Sequence, residues 1–182
     1  MNNPVYRGRI IFVSLVVMFA LPAIIAKTVL SQHWYQSGVT NKGMLIEPTT
    51  HLASLGVENP YQNQQWQLGY VVPTHCDEFC EQQLFLLGQS HVALGKYQQR
   101  VQPVLIVTPN SDALPEVNSE YTLINTGENF EGVVAQAEFV IVDPLGQLVM
   151  RYPKVGTQEE LVPQSKGLLA DLRKLLKLSR VG

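Results

Sequence analysis

Two cysteines, Cys76 and Cys80, are the only ones in the chain and lie four residues apart in VVPTHCDEFCEQQL. On a helix, residues at that spacing share one face at about 6 Å, within the Cα separation that a disulfide spans. The pair is therefore able to close an intramolecular disulfide or, when open, to exchange with the cysteines of a partner. The same closeness would let two thiolates grip one soft metal ion such as Cu(I), a site that then needs one more ligand. An inert structural bridge is the third alternative. Closing so short a loop removes little chain entropy, which makes such a bridge a weak staple.

The surroundings of the pair favour chemistry. It follows a strand-like run and opens a helix, where unpaired backbone N–H groups collect partial positive charge and lower a thiol pKa. His75 adds to this effect when protonated and is a candidate modulator, whereas Asp77 and Glu78 oppose it. The first cysteine of such a helix is usually the exposed one, which makes Cys76 the attacking thiol and Cys80 the resolving one. His91 is eleven residues beyond Cys80, about 16 Å along a helix axis, and reads as a partly buried helix residue rather than a ligand. His33 and His51 fall in a polar tether and are assigned no role.

The elements that must position the pair are read from hydropathy patterns. WQLGYVV (66–72), apolar and β-branched and ending at Pro73, predicts a buried strand. Leu84, Leu87, His91 and Leu94 mark one face of a helix of about five turns over 81–99, stopped by Pro103. VLIV (104–107) predicts a second buried strand, YTLIN (121–125) a third, and ENFEGVVAQ (128–136) a short helix. EFVIVDPLGQLVMRYP (138–153) predicts a β-hairpin around the turn residues Asp143, Pro144, Leu145 and Gly146. Leu168, Leu169, Leu172, Leu175 and Leu176 form the apolar stripe of a C-terminal helix whose other face carries Lys166, Arg173, Lys174 and Lys177. Strand, helix, strand, hairpin, helix is the thioredoxin order. It predicts an α/β domain with a mixed central sheet flanked by helices.

The remainder of the 182 residues is dominated by one apolar block. Ile10–Leu30 carries a single charge and as a helix would span about 31 Å, close to the thickness of a hydrocarbon core. Arg7 and Arg9 precede it and only Lys27 sits at its far end, so the positive-inside bias leaves residues 1–9 in the cytoplasm. Ile24 two residues before Ala26 spoils a small-x-small cleavage pattern, which favours an uncleaved anchor. The expected organisation is a cytoplasmic N-terminus (1–9), a transmembrane anchor (10–30), a tether with one edge strand around Met44–Ile46 stopped by Pro48 (31–64), and a thioredoxin-like domain (65–182). A net charge of −2 without a basic, aromatic-interleaved stripe argues against nucleic-acid binding.

THCDEFCEQQL resembles the signature of Sco-type copper chaperones of cytochrome c oxidase, matching it at Thr74, His75, Cys76, Cys80 and Leu84. Asp77 and Glu81 stand where prolines usually follow each cysteine. That resemblance implies Cu(I) held by Cys76 and Cys80 together with thiol–disulfide exchange. The family's third ligand is a histidine some eight residues before the Asp-Pro of the hairpin, and Ala135 occupies its place. NKGMLIEP (41–48), SHVALGK (90–96), DPLGQLVMRYP (143–153) and DLRKLLKLSRVG (171–182) are similar to small membrane proteins of bacterial cytochrome c oxidase biogenesis clusters. This implies a single-pass inner-membrane protein with a periplasmic C-terminal domain, whose partner is an oxidase subunit or another assembly factor. The proline that usually precedes the hairpin of thioredoxins is absent between Pro115 and Pro144. Three functions follow: a tethered thiol–disulfide factor for oxidase assembly, a Cu(I)-binding module, and a non-catalytic docking protein in thioredoxin form.

Overall fold

A computed structural model describes residues 4–31, 41–112 and 121–180. The chain divides into two compact units, 1–40 and 41–182. The first holds one helix, α1 (Pro4–Ser31), with Pro22 inside it. It is long and apolar enough, over Tyr6–Ile25, to cross a membrane. Side chains such as Phe12 and Phe19 are exposed on it, an apolar surface that water does not favour.

The second unit is a six-stranded sheet in the order β1-β6-β5-β2-β3-β4. Its strands are β1 (Met44–His51), β2 (Trp66–Val71), β3 (Val101–Val107), β4 (Thr122–Asn125), β5 (Phe139–Val142) and β6 (Gln147–Tyr152). Strands β2, β3 and β4 run parallel, whereas β5 and β6 form the antiparallel hairpin and β1 adds antiparallel to β6. Helix α2 (Glu78–Ala93) carries the chain from β2 to β3, and α3 (Gln158–Leu178) closes it. The mixed sheet flanked by helices is the one expected from the sequence.

Each face of the sheet buries its own core. On one face Leu68, Tyr70, Leu105, Phe139 and Ile141 pack with Leu84 and Leu87 of α2 and with Leu168, Leu172 and Leu176 of α3. On the other, Val71, Val104, Ile106, Val140 and Val142 are covered by Leu52, Val57, Phe130 and Val134, from 3₁₀ turns and loops rather than α-helices. Burial on both faces explains why the central strands read as unbroken apolar runs. A bulge in β6 sets Val142 opposite Leu148 and Ile141 opposite Met150. The extra residue flips the parity, so Leu148 faces one core and Met150 and Tyr152 the other.

Several boundaries differ from expectation. Residues 41–64, read as part of a tether, belong to the compact unit, and residues 32–40 and His33 lie outside the described residues. Strand β1 passes through Pro48 to His51, because Pro48 lies in the irregular stretch between the pairs Leu45↔Met150 and Thr50↔Leu148, where no ladder bond is lost. The five-turn helix is shorter: α2 ends at Ala93, Gly95 takes φ 60°, and Gly95–Arg100 is a 3₁₀ segment. Pro103 does not stop a helix but sits inside β3, one residue before β4 pairing begins at Val104. Only Glu128–Phe130 of the expected helix 128–136 is helical, as a 3₁₀ turn; Gly132 and the β-branched Val133 and Val134 are poor helix formers. At the hairpin the Asp143 carboxylate accepts from Leu145 N–H and Gln147 N–H at 2.9 and 2.8 Å, and Gly146 takes φ 82°.

Candidate functional site: a disulfide hung between three loops

Because β2 and β3 are parallel, the loops after them, 72–77 and 108–112, leave the sheet at the same edge. β5 is antiparallel to β2, so the loop before it arrives there too. Ligand and reaction sites of open α/β sheets form at this edge, beyond the carboxyl ends of the strands. Cys76 and Cys80 are here, joined in a disulfide with Cα atoms 5.1 Å apart. The pair is not carried on one helical face as its spacing suggests. Asp77 is the N-cap of α2, with its carboxylate accepting from Cys80 N–H at 3.0 Å, so Cys76 precedes the helix and Cys80 is its third residue. Cys80 is 2% exposed within the core, and Cys76 is half-buried at the surface.

The loop that bears Cys76 is held by the other two. Ser111 Oγ donates to Val72 O at 2.7 Å, and Asp112 N–H donates to Pro73 O at 2.8 Å. Thr74 N–H and Thr74 Oγ–H both donate to Gln136 Oε1, at 2.9 and 2.7 Å. Cys76 N–H donates to Asp112 Oδ2 at 3.0 Å. Gln136 Nε2 in turn donates to Glu131 Oε1 at 3.0 Å, and Thr108 Oγ–H donates to the same oxygen. These donors, Thr108 first and Gln136 next, hold the Glu131 carboxyl below the usual carboxylate range. His75 projects into solvent with its side chain 87% exposed, Nδ1 3.6 Å from Asp112 Oδ2.

Tyr70 lies in the same core as Cys80, its ring centroid 5.0 Å from that of Phe139. Its hydroxyl is buried without a hydrogen-bond partner among the described residues. Burial first, and the nearby charge of Asp77 second, push its pKa well above the ordinary tyrosine value.

Other residues considered from sequence lie apart. His91 is at the far end of α2, its Nε2 2.9 Å from Val101 O and 3.1 Å from Gln98 O, fastening helix to strand. Ala135 is exposed in the loop beside Gln136 and offers no donor side chain. Among the described residues, no group of three or more His, Cys, Asp or Glu is gathered to hold a metal ion. The two sulfurs alone leave a copper site in want of one more ligand. Asp112, Gln136 and Glu131 were not legible as site residues. The strand predicted at 104–107 implied a loop after it, but nothing local told that Asp112 in that loop reaches Cys76.

A search of curated protein sequences gives no match. Among solved structures, apo Sco1 from Thermus thermophilus superposes with a TM-score of 0.51 at 15% identity, covering 76% of this chain and 99% of that one. Copper-bound yeast Sco1 gives 0.47 at 19% identity, covering 78% and 96%. The first of these, at such low identity, speaks for the fold alone. The family described as transmembrane-like, thioredoxin-like, C-terminal domain matches residues 66–179, which takes in every element from β2 to α3 and both cysteines. The chain belongs to this family of transmembrane-like, thioredoxin-like C-terminal domains.

Proposed function

We propose that this chain is a membrane-tethered thiol–disulfide factor that acts on the cysteines of a partner during cytochrome c oxidase assembly. The reading is carried by one observation: a disulfide at the carboxyl edge of the parallel strands, with one sulfur at the surface and the other buried at the start of a helix. In the reduced form the Cys76 thiolate attacks a partner disulfide, forms a mixed disulfide and expels one partner thiolate. Cys80 then attacks the Cys76 sulfur and releases the second. Two electrons and two protons leave this chain as the partner becomes a dithiol, and a dithiol protein restores the starting state. His75 modulates the pair through its exposed imidazole beside Asp112.

In this reading residues 1–9 are cytoplasmic, 10–30 span the bacterial inner membrane, and the domain that follows works in the periplasm on an oxidase subunit or another assembly factor. The likeness in fold to Sco1 and the resemblance around THCDEFCEQQL support the oxidase connection. Glutathione titration of the full chain tests the activity. A reversible two-electron couple is expected, and a pair that neither opens nor recloses would sink the proposal. A copper-binding role would need a third ligand from the partner; equal copper uptake by the reduced chain and by the Cys76→Ser, Cys80→Ser variant removes it. Full complementation of a deletion strain by that double variant would favour a purely docking protein.

A further inference from the structure

The Cys76 loop has little means of holding itself. Of its polar groups, Val72 N–H enters the sheet through Ile106 O, while Val72 O, Pro73 O, Thr74 N–H and Cys76 N–H are taken by Ser111, Asp112 and Gln136. Gln136 contributes from the loop before β5. One amide oxygen accepts twice from Thr74, two residues before the attacking cysteine. Its nitrogen is fixed on Glu131, which Thr108 and Asn110 also bind, so the amide cannot turn without losing a charge-assisted bond. The next residue, Ala137, adopts φ 60°, a left-handed conformation that side chains other than glycine rarely take, and its N–H donates to Val71 O at 2.8 Å. Gln136 is thereby set directly beside the end of β2.

We propose that Gln136 is a positioning residue for the Cys76–Cys80 couple, presetting the Thr74–Cys76 backbone so that the two thiols of the reduced form already face one another. The inference rests on the dithiol reading given above. Cys80 is fixed by α2 and by burial in the core, so the loop end is the part whose position decides how often the sulfurs meet. That frequency is an effective concentration, and it sets the equilibrium with a free thiol. The exchange is balanced: reduced chain plus glutathione disulfide gives the Cys76–Cys80 disulfide plus two glutathione thiols, with two electrons and two protons passing to glutathione.

The equilibrium constant of this exchange, measured on the full chain in detergent micelles, tests the role. Gln136→Ala is expected to lower it about tenfold, a potential about 30 mV less negative. Thr74→Val, which removes the hydroxyl bond and leaves the backbone one, is expected to lower it about threefold and covers the case in which Gln136→Ala folds poorly. Combining Gln136→Glu with Glu131→Gln exchanges the two ends: a carboxylate at 136 accepts from Thr74, and an amide at 131 donates to it. This pair should restore the wild-type constant to within about twofold. A constant unchanged in both Gln136→Ala and Thr74→Val, or one that the exchanged pair leaves as low as Gln136→Ala does, overturns the proposal. A wild-type chain that fails to equilibrate with glutathione at all overturns the dithiol reading, and this inference with it.

Discussion

The two sulfurs of the disulfide meet water differently, and that difference assigns their roles. Cys80 lies in the core at 2% exposure while Cys76 is only half-buried, so a reagent in solution reaches one and not the other. In Cys80→Ser, Cys76 is expected to react with iodoacetamide at least about tenfold faster than Cys80 does in Cys76→Ser, and mass spectrometry of the timed product reads the ratio. Equal rates would remove the order of attack. Glu138 is buried at 6% exposure with Oε2 3.7 Å from Arg151 Nη1. Burial raises its pKa, against the opposing pull of Arg151. A carboxyl whose folded-state pKa is raised favours folding most below its unfolded pKa and loses that contribution as pH rises through the folded value. Glu138→Gln should therefore gain in thermal midpoint relative to wild type between pH 4 and pH 8, and a difference that does not change with pH refutes it. The cysteine pair itself was readable from four-residue spacing and a strand-to-helix context. Asp112 and Gln136 were not, since they reach the loop from 36 and 62 residues away and only the sheet register brings them there.

Among the elements, β2 fixes the site because all six of its residues are buried and the Cys76 loop begins at its end. Gly69 in its middle is dictated by close approach: a Cβ there would stand 2.8 Å from Ile106 Cδ1 and 2.9 Å from Val140 Cγ1. The two neighbours lie on the strands flanking β2, and Val140, being β-branched, has little freedom to swing aside. Gly69→Ala should cost roughly 1–3 kcal/mol by overpacking, seen as a lower urea midpoint at unchanged slope. A midpoint equal to wild type would show that the strands part freely. Continuous apolar runs made β2, β3 and β5 legible, and turn chemistry made the hairpin so. Pro48 and Pro103 misled because a proline forbids a strand only where its missing N–H is needed. One falls in a bulge and the other just ahead of its neighbour's first pair.

The start of the compact unit is clasped to its last helix. Asp171 of α3, 3% exposed, accepts on one oxygen from Lys42 N–H at 2.7 Å, Gly43 N–H at 2.8 Å and Tyr152 Oη–H at 2.9 Å. Gly43 and Gly167 permit the contact. A Cβ on the first would fall 2.5 Å from the Tyr152 ring, and one on the second 2.8 Å from Lys42 Cβ. Burial together with the adjacent carboxylate pushes the Tyr152 phenol far above its ordinary pKa, so it stays a donor throughout the working pH range. Strand β1 follows the clasp at the sheet's edge and pairs with β6 alone, so Asp171 adds a second fastening to that pairing. Asp171→Ala leaves buried donors without an acceptor and is expected to cost about 3 kcal/mol or more, whereas Asp171→Asn keeps an acceptor oxygen and should cost less than half as much. The loss should also be local before it is global. Amide exchange in Met44–His51 should quicken in Asp171→Ala while Trp66–Val71 remains protected, since edge strands open below the free energy of global unfolding. Equal quickening in both strands would show instead that β1 and the central sheet open as one unit and that the clasp holds no separate entry point.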